Sequence, residues 1–460
     1  MASSRRSSFS REPSGRLPGP EALAGELSRI IREAQSEKRL TSVSAAAVRD
    51  GEIVWSEAVG LADAESGEEA TPDHQYRIAS ITKTVTAVGV MRLRDEGKLE
   101  LDDPLDKHLS GAAHGPTIRG LMTHLSGLQR EVPGDVWETL EMPTREELLP
   151  RLAEAKRILP PGAYWHYSNL AFALLGEVLA QVSGQPAERY LDEHVLGPVG
   201  MTRTTWTAEP PSAVGYVVHP YSDVPRQEPV IEGRAVAPAA ELWSTPSDLC
   251  KWAAFVADPD PGVLSKETLD EMRVFQSMVD LKTWRLGYGL GFALYRVDDD
   301  VFVGHDGAHA GYLGHVSALP SKRTGAAVLT NEGAGVPISA LGIQLSRAVA
   351  EAYPTITEMW RPGEAPPDEL EGILGTWWTE GHPVVFSFRG GKLESVFPEA
   401  RLDLGRSVYE QEGEDLFRVV QGYERGELLR IVRDEDGVPI KLYFATYPVT
   451  REPLVMGGSS

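Results

Sequence analysis

From Pro20 the chain falls into a helical register: Leu23, Leu27, Ile30, Ile31 and Ala34 share one face, with Glu26, Arg29, Arg32 and Glu33 between them. That pattern predicts an amphipathic helix whose apolar stripe requires a sheet to cover. Two short runs supply it. Val43 to Val48 and Ile53 to Val59 are small or β-branched and meet at Arg49-Asp50-Gly51-Glu52, a hairpin signal. The expectation is an N-terminal helix on an antiparallel sheet.

The middle of the chain reads as helical. A second helix is expected from Ser80 to Glu96 and a third after Thr117, where Ile118, Leu121, Met122 and Leu125 repeat before Ser126-Gly127. A fourth, Leu170 to Val182, is nearly all apolar and stops at Ser183-Gly184. Ser244-Thr245-Pro246-Ser247-Asp248 then offers a capping hydroxyl and a proline suited to the first helical position, opening a helix that carries Trp252, Ala253 and Phe255. Strand texture returns at Leu290 to Val297, Val301 to Gly304, Gly314 to Leu319 and Gly325 to Leu329, separated by Asp298-Asp299-Asp300 and Pro320-Ser321-Lys322. After a helix from Ile338 to Tyr353, a Pro-rich stretch around Arg361 to Asp368 reads as a linker. Short strands from Leu370 to about Thr450 then suggest a β-barrel or β-sandwich. The predicted organisation is a tail over 1–20, a domain over 21–360, a linker over 361–370, a small all-β domain over 371–452 and a tail over 453–460.

Charge narrows the function. Lys and Arg total 45 against 67 Asp and Glu, a formal net charge of −22, which disfavours nucleic acid and anionic membrane surfaces as partners. The first twenty residues contain Arg5, Arg6, Arg11 and Arg16 against Glu12, so the remainder is more acidic still and suits a neutral or cationic substrate better than a polyanion. Those residues have no continuous apolar core of a secretory signal, and no run of about eighteen apolar residues occurs, so a cytoplasmic location is expected. The lone Cys250 cannot form an internal disulfide and is expected to be a small buried residue.

Three short motifs carry chemistry. In Ser80-Ile81-Thr82-Lys83 the hydroxyl and the ammonium share one face of a helix's first turn. A partly desolvated lysine there can take the serine proton, although a helix cap followed by a surface lysine has the same pattern. In Tyr167-Ser168-Asn169 a phenol near an ammonium loses its proton more easily and can shuttle it, while Asn169 can orient the lysine; the bland reading is a core tyrosine and a capping asparagine. His305-Asp306-Gly307-Ala308 lies in strand context, where Gly307 lets a backbone approach closely, or else forms a surface turn. His124, His309 and His315 read as ordinary hydrogen-bonded histidines without metal-ligand spacing, and Trp165, Trp243 and Tyr288 as core residues or pocket walls.

In this order, on a helix start, a loop and a strand, the motifs resemble the serine β-lactamase and penicillin-binding-protein-like hydrolases, in the class C-like branch. The resemblance runs from about Val43 to Glu351 and includes Val48-Arg49-Asp50-Gly51, Arg77 to Lys83, Leu121 to Leu128, Pro161-Gly162 and Gly304 to Gly307. It implies an α+β fold, an antiparallel sheet flanked by helices with a mostly helical subdomain, and a serine hydrolase working through an acyl-enzyme on an ester or amide. It implies Ser80 as nucleophile, Lys83 and Tyr167 handling its proton, Asn169 supporting the lysine, and the backbone N–H groups of Ser80 and Ala308 beside Gly307 holding the oxyanion. It implies no metal and no cofactor, and a small-molecule or peptide acyl substrate.

His305-Asp306-Gly307 stands where class C β-lactamases have Lys-Thr-Gly and resembles the His-x-Gly of the family's esterases and peptidases, which moves the expected substrate away from antibiotics. Protonated below its pKa, His305 would substitute for the missing ammonium. No Gly-x-Ser-x-Gly occurs, leaving Ser80 without a rival nucleophile. Leu374-Gly375-Thr376-Trp377-Trp378 resembles the opening strand of the lipocalin-like domains appended to some members. Two other functions fit the same fold: an acyltransferase or penicillin-binding-protein-type thioesterase and peptide cyclase, and a non-catalytic binding protein. The sequence sets no oligomeric state.

Overall fold

A computed structural model of the chain describes residues 19–110, 115–353, 359–399 and 405–453. The expected tails fall outside the described residues except for Gly19, Pro20 and Pro453, and Pro20 already opens a helix. The chain divides into two compact units, Met1–Thr355 and Ile356–Ser460. No helix among the described residues is long and apolar enough to cross a membrane.

The first unit is built on a nine-stranded antiparallel sheet. We label its strands β1 (Ser42–Arg49), β2 (Glu52–Asp63), β3 (Glu68–Glu69), β4 (Ser277–Met278), β5 (Leu286–Tyr288), β6 (Ala293–Val297), β7 (Asp300–His309), β8 (Tyr312–Leu319) and β9 (Thr324–Thr330). Their spatial order is β3-β2-β1-β9-β8-β7-β6-β5-β4, so the first strand pairs with the last, Ala46 opposite Ala327. The helices that bear on the site are α1 (Pro20–Lys38), α2 (Thr82–Asp95), α3 (Ile118–Met122), α4 (Asn169–Ser183), α5 (Pro246–Ala257) and α6 (Ile338–Ala352).

Both faces of the central strands are buried, which explains why β1 and β9 read as unbroken runs of small apolar residues rather than as alternating ones. Ala45, Ala47, Ala326 and Val328 face α1 and α6, meeting Leu27, Ile31, Leu345 and Val349. Ala46, Val48, Ala327 and Leu329 face the other way, into the core shared with Val85, Val88, Cys250 and Trp252. Cys250 is fully buried, and burial pushes its thiol up to about 12. Thr245 caps α5 as expected, accepting from the Asp248 backbone N–H, with Pro246 following.

Several boundaries differ from the sequence pattern, each for a local reason. The third helix stops at Met122 because His124 takes φ 57°, which throws Leu125 off the helical face. The strand expected from Leu290 starts only at Ala293, since Gly291 turns the chain at φ 81° against Ala87. The strand expected to end at Gly304 continues to His309, so the His305 to Ala308 segment lies in the sheet and not in a surface turn. Within the expected linker, Asp368–Glu371 is a helical turn, and Leu370 joins the core of the second unit.

That second unit is an antiparallel barrel of eight strands in sequential order, labelled β10 (Gly375–Thr379), β11 (His382–Arg389), β12 (Lys392–Val396), β13 (Ser407–Gly413), β14 (Leu416–Gln421), β15 (Leu428–Arg433), β16 (Pro439–Phe444) and β17 (Tyr447–Val449). Two backbone hydrogen bonds between Trp378 and Thr450 bring its first and last strands together. Trp377, Phe386, Tyr409, Phe417 and Leu429 fill its core, and the Trp377 indole donates to the Ile373 carbonyl.

Candidate active site

Ser80 sits on a 3-10 turn, Ala79–Ile81, that runs directly into α2. The turn exists because Ala79 is held at φ 46°, a left-handed conformation that costs a non-glycine residue about 1–3 kcal/mol. What holds it is the strand beside it. A Cβ on Gly307 would stand 2.1 Å from the Ile78 carbonyl oxygen, so only glycine lets β7 lie against this turn. Ser80 remains partly open to solvent and shares one cavity with Ala308, Asn169, Glu131, Arg77 and His309.

Lys83, one helical turn along, is fully buried. Its Nζ stands 3.0 Å from Ser80 Oγ, 2.8 Å from Asn169 Oδ1 and 2.8 Å from the Ala239 carbonyl oxygen. Burial holds this amine well below its ordinary range, a shift opposed by the Glu131 carboxylate and reinforced by Arg130. The arrangement therefore points an amine whose charged form is disfavoured at a serine hydroxyl, which is what a general base toward an alcohol requires.

Tyr167 donates to the same oxygen, its hydroxyl 2.7 Å from Ser80 Oγ. The expectation that a nearby ammonium would ease its proton off is reversed. Burial pushes the phenol up, outweighing the help it receives from Ser80 and Arg130, so Tyr167 stays protonated and acts as a donor.

The loop that brings Tyr167 and Asn169 here is pinned from behind. His124 Nδ1 accepts from the Ser168 N–H and its backbone carbonyl from the His166 N–H, while its ring lies 4.5 Å from that of Tyr167. Ser168 caps α4 by accepting from the Ala171 N–H, so Asn169 is the first residue of the helix and not its cap. Gly127, at φ 71°, passes so close to Leu159 that a Cβ would stand 2.0 Å from its carbonyl oxygen.

Sequence reasoning missed Glu131, which accepts from Asn169 Nδ2 at 2.9 and 3.0 Å and thereby turns the amide oxygen toward Lys83. It also missed Arg130, whose guanidinium lies 4.9 Å from the Tyr167 ring centroid. The available signal was their position immediately after the Leu121 to Leu128 segment. Arg77 and Glu241 form a further buried pair at 2.9 Å, with Arg77 also donating to the Ile231 carbonyl; burial pushes Glu241 up to about 7 despite its partner.

His305 is placed differently from the other candidates. It is buried, its Nε2 lies 3.1 Å from the Tyr288 hydroxyl and its Nδ1 2.5 Å from the Asp306 carbonyl oxygen, and it has no hydrogen bond to Ser80. Burial above all lowers it to about 4, so it is neutral at neutral pH and cannot stand in for an ammonium. His315 bonds Asp306 and Ser317, an ordinary buried histidine. His309 lines the cavity near Trp137 and is lowered to about 3, chiefly by burial. Trp243 and Tyr288 are core residues, while Trp165 is half-buried against His124. Among the described residues, no group of three or more His, Cys, Asp or Glu is arranged to hold a metal ion.

Residues 27–351 match the family model described as Beta-lactamase, and residues 366–451 match one described as a Domain of unknown function (DUF7586). The chain is 30% identical over 333 residues to Esterase EstB of Burkholderia gladioli, covering 64% of this chain and 84% of that protein. It is 33% identical over 262 residues to Beta-lactamase-like protein 2 of Dictyostelium discoideum, covering 54% of this chain but about half, 48%, of that longer relative. The octameric penicillin-binding protein homologue from Pyrococcus abyssi superposes with a TM-score of 0.63 at 24% identity, over 92% of this chain and 99% of that one, a likeness of fold.

Proposed function

The chain belongs to the beta-lactamase family, and from that premise we propose that it is a serine hydrolase that opens an ester or amide through a covalent acyl-enzyme on Ser80. The observation that carries this reading is the convergence on one oxygen. Ser80 Oγ lies within hydrogen-bond reach of a desolvated amine and of a phenol that keeps its proton.

Neutral Lys83 takes the Ser80 proton as Oγ attacks the carbonyl carbon of a small-molecule or peptide acyl substrate. The oxyanion that forms is held by the backbone N–H groups of Ser80 and Ala308, a kind of contact worth a few kcal/mol in the transition state. Tyr167 gives its hydroxyl proton to the leaving alkoxide or amine, and the lysinium restores it. Asn169, turned by Glu131, keeps the amine in line through both steps. Water then repeats the cycle on the acyl-enzyme. Neutral His305 acts behind the site, positioned against Tyr288, and carries no charge for a substrate carboxylate.

Incubation with a p-nitrophenyl ester followed by intact-mass spectrometry tests the proposal. An added acyl mass that maps to Ser80 and vanishes in Ser80→Ala is expected; turnover unaffected by Ser80→Ala overturns it. Product analysis with an acyl thioester bearing a peptide amine separates water from an amine as the final acceptor, with linear acid expected.

A further inference from the structure

The hairpin turns that join β10 to β11, β14 to β15 and β16 to β17 all lie at the same end of the barrel, because sequential antiparallel strands return every second turn to one side. Within that end is a cavity of about 620 Å³, a size suited to a small organic ligand. Phe397, Tyr423, Phe444 and Tyr447 supply its apolar surface, and Tyr423 and Tyr447 are 71% and 46% exposed, rings not spent on the core. Glu380, Glu399, Glu424 and Glu427 stand among them, and among the described residues no Lys or Arg lines the cavity.

Among the described residues none of these four carboxylates closes an ion pair, although the Arg418 guanidinium, bonded to the Gly426 carbonyl of the same turn, feels the charge of Glu427. The barrel's ion pairs use Glu394, Glu410, Glu412 and Asp415 instead. The charge of Glu424 is felt inside, where it adds to the burial that pushes the Tyr409 phenol up to about 12. Two polar groups lie on its wall: Ser395, bonded to the Tyr409 hydroxyl at 2.7 Å, and Thr379, whose buried Oγ1 has no partner among the described residues.

We propose that this cavity is a binding site for an organic cation, an ammonium carrying an apolar body. Glu424 and Glu427 hold the charged head, the faces of Tyr423 and Tyr447 add cation–π attraction, and the apolar body enters toward Phe397 and Phe444. The Thr379 hydroxyl gains its missing partner from a donor on the ligand. A neutral isostere keeps the apolar contacts and loses the charge, and an anion meets only repulsion.

Calorimetric titration of the full-length protein at pH 7.5 and low salt, with 4-phenylbutylamine, 4-phenylbutan-1-ol and 4-phenylbutyrate, tests this. The amine is expected to bind at least about tenfold more tightly than the alcohol, and the carboxylate to give no binding. The double substitution Glu424→Gln, Glu427→Gln is expected to reduce amine affinity to that of the alcohol while hydrolysis of a p-nitrophenyl ester stays unchanged; Glu380→Gln is a milder variant with the same direction. Equal affinity for amine and alcohol, no binding of the amine at millimolar concentration, or binding retained by the Gln variants and lost in Glu131→Gln each overturn the proposal. None of these outcomes depends on whether Ser80 is acylated.

Discussion

Each unit gathers charge around a cavity, and the two do so in opposite ways. In the first, residues from positions 80, 169 and 239 converge on one lysine and strip it of water, so the protein changes what that group is. In the second, glutamates stand on turns and loops at a barrel mouth, half-buried or exposed to solvent. Chemistry needs a group desolvated by segments far apart in sequence. Recognition of charge needs only a rim. Substitutions in the first unit should therefore be costly and coupled, and those at the rim cheap and local.

The strongest test of the contrast is Lys83→Ala, expected to lower kcat/KM for ester hydrolysis by about 10³-fold or more while the circular dichroism spectrum is kept. Glu241→Ala comes next, through stability: it leaves the Arg77 guanidinium buried without its partner, and urea unfolding should show a loss of about 3–5 kcal/mol. Tyr167→Phe removes a donor and leaves the base, so a fall of about 10²-fold in steady-state rate is expected.

A smaller effect sharpens the lysine's role. Only the neutral amine accepts the serine proton, so activity rises with pH through the lowered pKa of Lys83 and is lost below it. Glu131 opposes that lowering. Glu131→Gln should therefore move the acid limb of the kcat/KM profile to lower pH; a limb that stays put or moves up would break the assignment. Smallest of all, Glu424→Gln with Glu427→Gln should leave ester hydrolysis within about twofold and the thermal midpoint within about 2 °C, as exposed substitutions do.

The residues proposed to react were legible in the sequence, and those that tune them were not. Ser80 and Lys83 lie three apart where a 3-10 turn runs into α2, and Tyr167 and Asn169 two apart where a loop enters α4, so each pair leaves a local pattern. Glu131 meets Asn169 across 38 residues and Arg77 meets Glu241 across 164, and no spacing rule joins them. The strands followed the same logic. The runs at 43–48 and 325–329 were plain because both faces are buried, whereas the continuation of β7 to His309 was hidden by the polar residues His305, Asp306 and His309. The reversed sense of Tyr167 was invisible for another reason: proximity to a cation was readable, but the burial that outweighs it depends on the assembled fold.

The pairing of β1 with β9 also sets a schedule for biosynthesis. Arg323 Nε donates to Asp50 Oδ1 across 273 residues, and the central strand of the sheet lacks one neighbour until that far end has left the ribosome. At about 5–20 residues per second this is a wait of roughly 14–55 s, during which α1, β1 and β2 carry an open, apolar sheet edge. The run Ala45, Ala46, Ala47 and Val48 makes that edge modestly sticky rather than strongly so, which eases the delay that its topology imposes.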